Sequence, residues 1–164
     1  MKTTISAERL IGAPADVIYH CIADYREHHR PDGFLPPAFT DMEIASGGVG
    51  AGTKLSWVVE IGGRRRMVEA TISEPQPGRE MIEDSSEIKT TFTVERQGLG
   101  AVVRFDTIID EGGVQGILDR LFAARLLEPI YREELRLLEE YARRHGPLAA
   151  SAHGPLAASA RGAA

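Results

Sequence analysis

Two adjacent histidines, His28 and His29, carry the clearest acid–base chemistry in the chain, because an unperturbed imidazole titrates near neutral pH. Neighbouring residues of a helix point about 100° apart, so at most one of them can face a shared pocket. Tyr25, one helical turn earlier, and Thr107 add hydroxyls that can serve as polar contacts beside His28. Neither histidine belongs to a Glu-x-x-His or His-x-x-x-His pattern, so neither a metal site nor another cofactor is expected. Gly-x-Ser-x-Gly is absent. The run Gly47-Gly48-Val49-Gly50-Ala51-Gly52 lacks the Lys-Ser/Thr that a phosphate-binding loop needs, and reads as a mobile lip. Cys21 is the sole cysteine, which excludes an intramolecular disulfide; set among Val17, Ile18 and Ile22, it reads as a buried, inert thiol.

Composition narrows the classes of function. With 164 residues the chain suits one domain with a real core, and 43% hydrophobic with 26% charged residues is ordinary for a globular protein. A net charge of −5 argues against nucleic acid as a partner, since that binding neutralises phosphates with Lys and Arg. Arg64-Arg65-Arg66 follows Gly62-Gly63 and reads as a solvated hairpin rim. The first ten residues hold no apolar stretch long enough for a signal peptide or a membrane span, so a cytoplasmic location is the default expectation.

Positioning these residues falls to an ordered set of elements. Residues 3–11 suit a strand, and Pro14 with Asp16 opens a short amphipathic helix over 14–23. Asp24 can cap a second short helix reaching His29, which Pro31-Asp32-Gly33 would end. Strands are then predicted at 40–45, 53–61, 66–73, 79–84, 88–95 and 101–110, separated by turns rich in Gly and Pro. Alternation puts Leu55, Trp57, Val59 and Ile61 on one face, as it does Val68, Ala70 and Ile72. It does the same for Thr90, Phe92 and Val94, and for Val103, Phe105, Thr107 and Ile109. A long helix spans about 114–144, with a stripe of Leu118, Leu121, Phe122, Ile130, Leu135, Leu138 and Ala142. Pro129 should kink it, dividing a lid (117–127) from an anchor (130–143). The octapeptide His145–Ala152 is repeated as His153–Ala160, and residues 145–164 read as a disordered low-complexity tail. An antiparallel sheet followed by one helix has an economical solution, an α+β fold in which the curved sheet wraps around the helix. A cavity between the two is a natural result.

Ile11-Gly12-Ala13-Pro14-Ala15-Asp16-Val17-Ile18-Tyr19, then Ala23-Asp24-Tyr25, then Gly48-Val49-Gly50-Ala51-Gly52-Thr53-Lys54-Leu55, together resemble the START-like (helix-grip, SRPBCC) superfamily. The hairpin Val59–Arg64 and the turn Ser73–Arg79 fit in character, and the polyketide cyclase/dehydrase branch is the most similar. The resemblance covers roughly residues 3–144, which places residues 1–144 in one domain. It implies a ligand held between the sheet and the long helix, here by Tyr25, His28, Phe34, Leu55, Trp57, Phe92, Phe105, Leu118, Leu121 and Phe122. The expected partner is a hydrophobic small molecule such as a lipid, an isoprenoid or a polyketide, taken up by a monomer or homodimer. An alternative is a polyketide cyclase or dehydratase in which Tyr25 and His28 transfer protons. A protein-interaction role is a third, because the fold does not decide the function.

Overall fold

The computed structural model describes residues 2–28, 33–86, 88–110 and 120–152. Strand β1 (Lys2–Ile11) leads into helix α1 (Ala15–Ala23) and the single-turn helix α2 (Tyr25–His28). Strands β2 (Phe39–Ser46), β3 (Lys54–Ile61), β4 (Arg64–Gln76) and β5 (Glu80–Ser85) follow. Strands β6 (Ile88–Gln97) and β7 (Gly100–Asp110) complete the sheet, and helix α3 runs from Arg120 to Ala152. Each predicted strand is present with its ends moved by a few residues. All seven form one antiparallel sheet in the order β1-β7-β6-β5-β4-β3-β2.

That order has a geometric consequence. β2 to β7 form a simple meander, while β1 pairs with β7 along its whole length, from Lys2 opposite Asp110 to Ile11 opposite Ala101. The chain therefore leaves the sheet at one edge and re-enters at the other. Residues 12–38, including α1 and α2, must cross the full width of the sheet. Helix α1 lies on its inner side, where Val17, Ile18, Cys21 and Ile22 join the core.

The alternating strands turn the faces inward that their sequence indicates. Val68, Ala70 and Ile72 of β4 are buried while Met67, Glu69 and Thr71 are exposed. Phe92 and Phe105, opposite one another on β6 and β7, meet edge to face at 4.7 Å. Along α3, Leu127, Tyr131, Leu135, Leu138, Tyr141 and Ala142 face the core. Each large apolar side chain buried in this way contributes about 1.5–3 kcal/mol. A buried carboxylate completes the anchoring of α3. Glu139 accepts a 2.6 Å hydrogen bond from Arg9 of β1 and pairs with Arg143 one turn along the helix.

Helix α3 continues as one element through Pro129, which lies on the exposed side. It also extends through the first octapeptide to Ala152, where alanines favour helix, and so runs past the expected boundary at 144. The predicted helix start at 114–119 and the second octapeptide lie outside the described residues.

The glycine-rich loop at 47–52 is docked, not a loose lip. Gly50 N–H donates to the Ala23 carbonyl at 2.9 Å, and Tyr25 N–H donates to the Gly48 carbonyl at 2.9 Å, stitching the loop to the α1–α2 junction. Glu74 of β4 holds both sides, accepting from Tyr19 Oη of α1 at 2.6 Å and from the Ala51 N–H at 2.7 Å. Gly50 has φ +59°, and a Cβ there would sit 2.4 Å from Glu74 Oε2. Gly50→Ala is therefore expected to lower stability by about 1–3 kcal/mol, through backbone strain and displacement of Glu74. Urea denaturation checks this; an unchanged midpoint would show that the loop does not depend on this close approach.

Candidate functional site

Between the inner face of the sheet and α3 lies a cavity of about 60 Å³, opening towards β2 and β3. Its mouth is apolar: Leu35, Phe39, Met42, Trp57 and Val59 line it, all half-buried. Phe34, Phe92 and Phe105 form walls further in. The enclosed space suits a few atoms or a couple of waters, far less than the several hundred Å³ that a drug-sized ligand fills. A larger groove of about 1040 Å³ runs along the outer flank of α1, but it is open and lined by mixed charges such as Asp16, Arg79, Glu95 and Arg96. The internal cavity is the better candidate because its lining combines apolar walls with buried polar groups.

Five elements supply the polar groups in and around it. On β5, Met81 and Glu83 share the inward face, and Glu83 lies opposite Thr90 of β6. Tyr25 of α2 reaches across and donates its hydroxyl to Glu83 Oε1 at 2.7 Å. On α3, Glu134 and Tyr131 face the cavity from adjacent turns. The Tyr131 hydroxyl lies 2.8 Å from Thr107 Oγ1, which lies 2.9 Å from Thr90 Oγ1, so three hydroxyls form a chain across β6, β7 and α3.

Electrostatics separate the two carboxyls from the surface acids. Burial pushes Glu83 up from an ordinary 4.5 to about 7, while the Tyr25 hydrogen bond opposes that rise. Glu134 is raised well above the ordinary carboxylate range, by burial first and by the neighbouring Glu83 charge second. Burial and the charge of Glu83 likewise raise the Tyr25 phenol. Tyr131 is raised chiefly by burial, against the effect of its hydrogen bond to Thr107. Cys21, 5% exposed, is pushed up to about 12 mainly by burial, which leaves it a neutral thiol.

His28 is buried against Tyr25 and Phe34, with ring centroids 4.6 and 4.5 Å away. Its Nε2 lies 3.1 Å from the carbonyls of both Cys21 and Ile22, so this nitrogen carries the proton and donates it. Those carbonyls belong to the last turn of α1, whose acceptors lack intrahelical partners, and His28 thus caps that helix. Asp24 starts α2, accepting from the Arg26 N–H at 3.1 Å. Burial alone would raise Asp24, but the hydrogen bonds and charge of Arg26 outweigh it and hold its carboxyl below the usual range.

Of the expected ligand-contacting residues, His28, Phe34, Trp57, Phe92 and Phe105 line the cavity together. Tyr25 meets it through Glu83, while Leu55 is buried but borders a separate groove between β3 and β4. Leu118 and His29 lie outside the described residues, as do the side chains of Leu121 and Phe122. Sequence reasoning missed Glu83, Tyr131 and Glu134. A signal for Glu134 was present: Leu127, Tyr131, Glu134, Leu138 and Tyr141 follow a 4-3-4-3 spacing, which puts a carboxylate in the inward stripe. Among the described residues no group of three His, Cys, Asp or Glu side chains converges as a metal site. No described helix is long and apolar enough to cross a membrane.

A curved seven-stranded antiparallel sheet gripping a long C-terminal helix over an internal cavity is the architecture of the START-like, helix-grip proteins. The chain belongs to the family described as polyketide cyclase / dehydrase and lipid transport, which matches residues 2–143. Among solved structures, the KanY protein, determined by NMR in solution, is 27% identical, with 87% of this chain and 99% of that chain covered and a TM-score of 0.73. A START superfamily protein from Mycobacterium smegmatis shares the fold at 13% identity, covering 86% of this chain and 97% of that one with a TM-score of 0.66. So does the di-domain ARO/CYC StfQ from the steffimycin biosynthetic pathway, at 12% identity, 90% and 53% coverage and a TM-score of 0.69. Comparison with curated protein sequences finds no match.

The raised carboxyls carry a sign that can be measured. Between pH 4.5 and about 7 the folded protein holds a proton on Glu83 that the unfolded chain has released, so stability falls as pH rises through this window. A rise from 4.5 to about 7 corresponds to about 3 kcal/mol, and Glu134 acts in the same direction. Urea denaturation across the window is expected to show that decline, and a Glu83→Gln/Glu134→Gln protein to show a flatter profile. A decline that persists undiminished in the double variant would assign it to other groups.

Proposed function

We propose that this protein binds a hydrophobic small molecule (a lipid, an isoprenoid or a polyketide-like compound) between the sheet and α3. The observation that carries this reading is an apolar mouth leading to a small polar floor, an arrangement in which walls supply affinity and a few placed groups set orientation. Membership of a family described by polyketide cyclisation and lipid transport supports it. With only about 60 Å³ enclosed, the floor admits a polar end, and the ligand body rests on or parts Leu35, Phe39 and Met42.

Trp57 is the only tryptophan and lies at the mouth, so its fluorescence reports occupancy. Titration with a panel of fatty acids, isoprenoids and aromatic polyketides is expected to give saturable change with at least one of them. Phe39→Ala combined with Met42→Ala should weaken that binding by roughly tenfold or more, through lost apolar contact. No saturable response to any probe sinks the reading, and undiminished binding in the double variant moves the ligand elsewhere.

A second reading, proton transfer during cyclisation or dehydration of a polyketide-like substrate, draws on one specific contact. The carboxyl of Glu83, raised to about 7 and oriented by the Tyr25 hydroxyl that donates to it, lines the cavity and can take up and release a proton near neutral pH. On this reading Glu83 gives and takes the proton, Tyr25 orients it, and His28 holds Tyr25 in place from the end of α1. Glu83→Gln should then abolish turnover of a polyketide substrate, and Tyr25→Phe lower it, while ligand binding survives. Equal loss of both would count against catalysis.

A further inference from the structure

The floor of the cavity holds two acids and, among the described residues, no Lys or Arg. Glu134 is 7% exposed and faces the cavity; no buried side-chain oxygen among the described residues is left without a partner, so its carboxyl oxygens, which no described side chain engages, are open to the cavity. Glu83 uses Oε1 for Tyr25 and leaves Oε2 without a partner among them. This is unlike the other buried acids of the fold. Glu139 is satisfied by Arg9 and Arg143, and Asp24 by Arg26. A carboxyl that lines a narrow apolar cavity without a counter-charge is costly to ionise, and the cost falls when a cation or hydrogen-bond donor arrives.

We propose that this floor takes the cationic nitrogen of an apolar amine, held between Glu83 and Glu134, and that it discriminates against carboxylates. The inference rests on the ligand-binding reading above and names the class of ligand. An ammonium group brings three donors and no acceptor, and its charge favours the ionised form of the acids it meets, so it can be matched by the oxygens of Glu134, Oε2 of Glu83 and the oxygen of Tyr131. It is also small enough for a space of about 60 Å³, while the hydrocarbon part lies along Trp57, Phe39 and Met42 at the mouth. A fatty-acid carboxylate would instead add a third acid to a floor that offers it no counter-charge.

Three ligands of equal length separate the possibilities: octylamine, octanol and octanoate, each titrated near pH 8 by Trp57 fluorescence and calorimetry below its micelle concentration. Octylamine is expected to bind roughly tenfold or more tighter than octanol, the range for a charged hydrogen bond, with octanoate weakest. Glu134→Gln, which keeps the side chain's shape, should remove most of the gap between amine and alcohol. Its thermal unfolding is recorded first. Should that variant not fold, the ranking on the unsubstituted protein decides alone. Octanoate binding as tightly as octylamine, or an amine preference untouched by Glu134→Gln, overturns the inference and leaves hydrophobic binding standing. Absence of saturable binding by all three ligands and by the wider panel overturns both.

Discussion

The placement of β1 governs much of the rest of the molecule. Because it pairs with β7 at one edge while β2 forms the other, the segment between them has to traverse the inside of the sheet. The inner faces of α1 and α2 are thereby committed to the core, and His28 and Phe34 reach the cavity from a connection that would otherwise lie on the surface. The fastenings of that crossing are polar. Glu74 grips both α1 and the glycine loop, His28 closes the end of α1, and Tyr141 of α3 donates to Glu27 of α2 at 2.9 Å. The site is built where these fastenings converge.

Two kinds of buried acid coexist within the same fold. Glu139 and Asp24 serve as structural anchors, each matched by an arginine that supplies charge and direction. Glu83 and Glu134 are matched by hydroxyls or by open space. The first kind is what a stable fold selects; the second is tolerated only where something outside the chain repays it, and such perturbed groups gather at functional sites. This contrast, rather than the size of the cavity, is what sets the internal space apart from the rest of the fold.

The architecture could be read from the chain because β4, β6 and β7 alternate cleanly and the turns are marked by Gly and Pro. Thr90-Phe92-Val94 and Val103-Phe105-Thr107 face inward as their period of two dictates. The apolar lining followed from the same faces. The polar floor did not. Glu83 sits in a strand as Glu-Asp-Ser follows Met81 and Ile82, where a charged residue ordinarily marks the outer face, and only the pairing of Met81 with Phe92 turns it inward. Glu134 was hidden by adjacent Glu133, which takes the exposed ion pair with Arg136 at 2.7 Å. His28 shows the opposite case: its type invited a chemical role, but the helix end it caps became visible only once α1 and α2 were placed side by side. The glycines at 47–52 suggested freedom, whereas their positive φ angles let the loop fold back on itself and dock.

The hydroxyls of Thr90, Thr107 and Tyr131 deserve a last consequence. In such a chain each oxygen can donate in one direction or the other, and reversing every proton leaves all heavy atoms in place. With the protons ordered one way, Tyr131 spends its hydrogen on Thr107 and presents only lone pairs; with the order reversed, it accepts from Thr107 and its hydrogen is released to point into the cavity. The Tyr131 hydroxyl on the cavity wall is therefore two-faced, an acceptor or a donor according to the order of the protons. A rigid scaffold acquires in this way a chemical adaptability that costs no movement of the backbone and no change of rotamer.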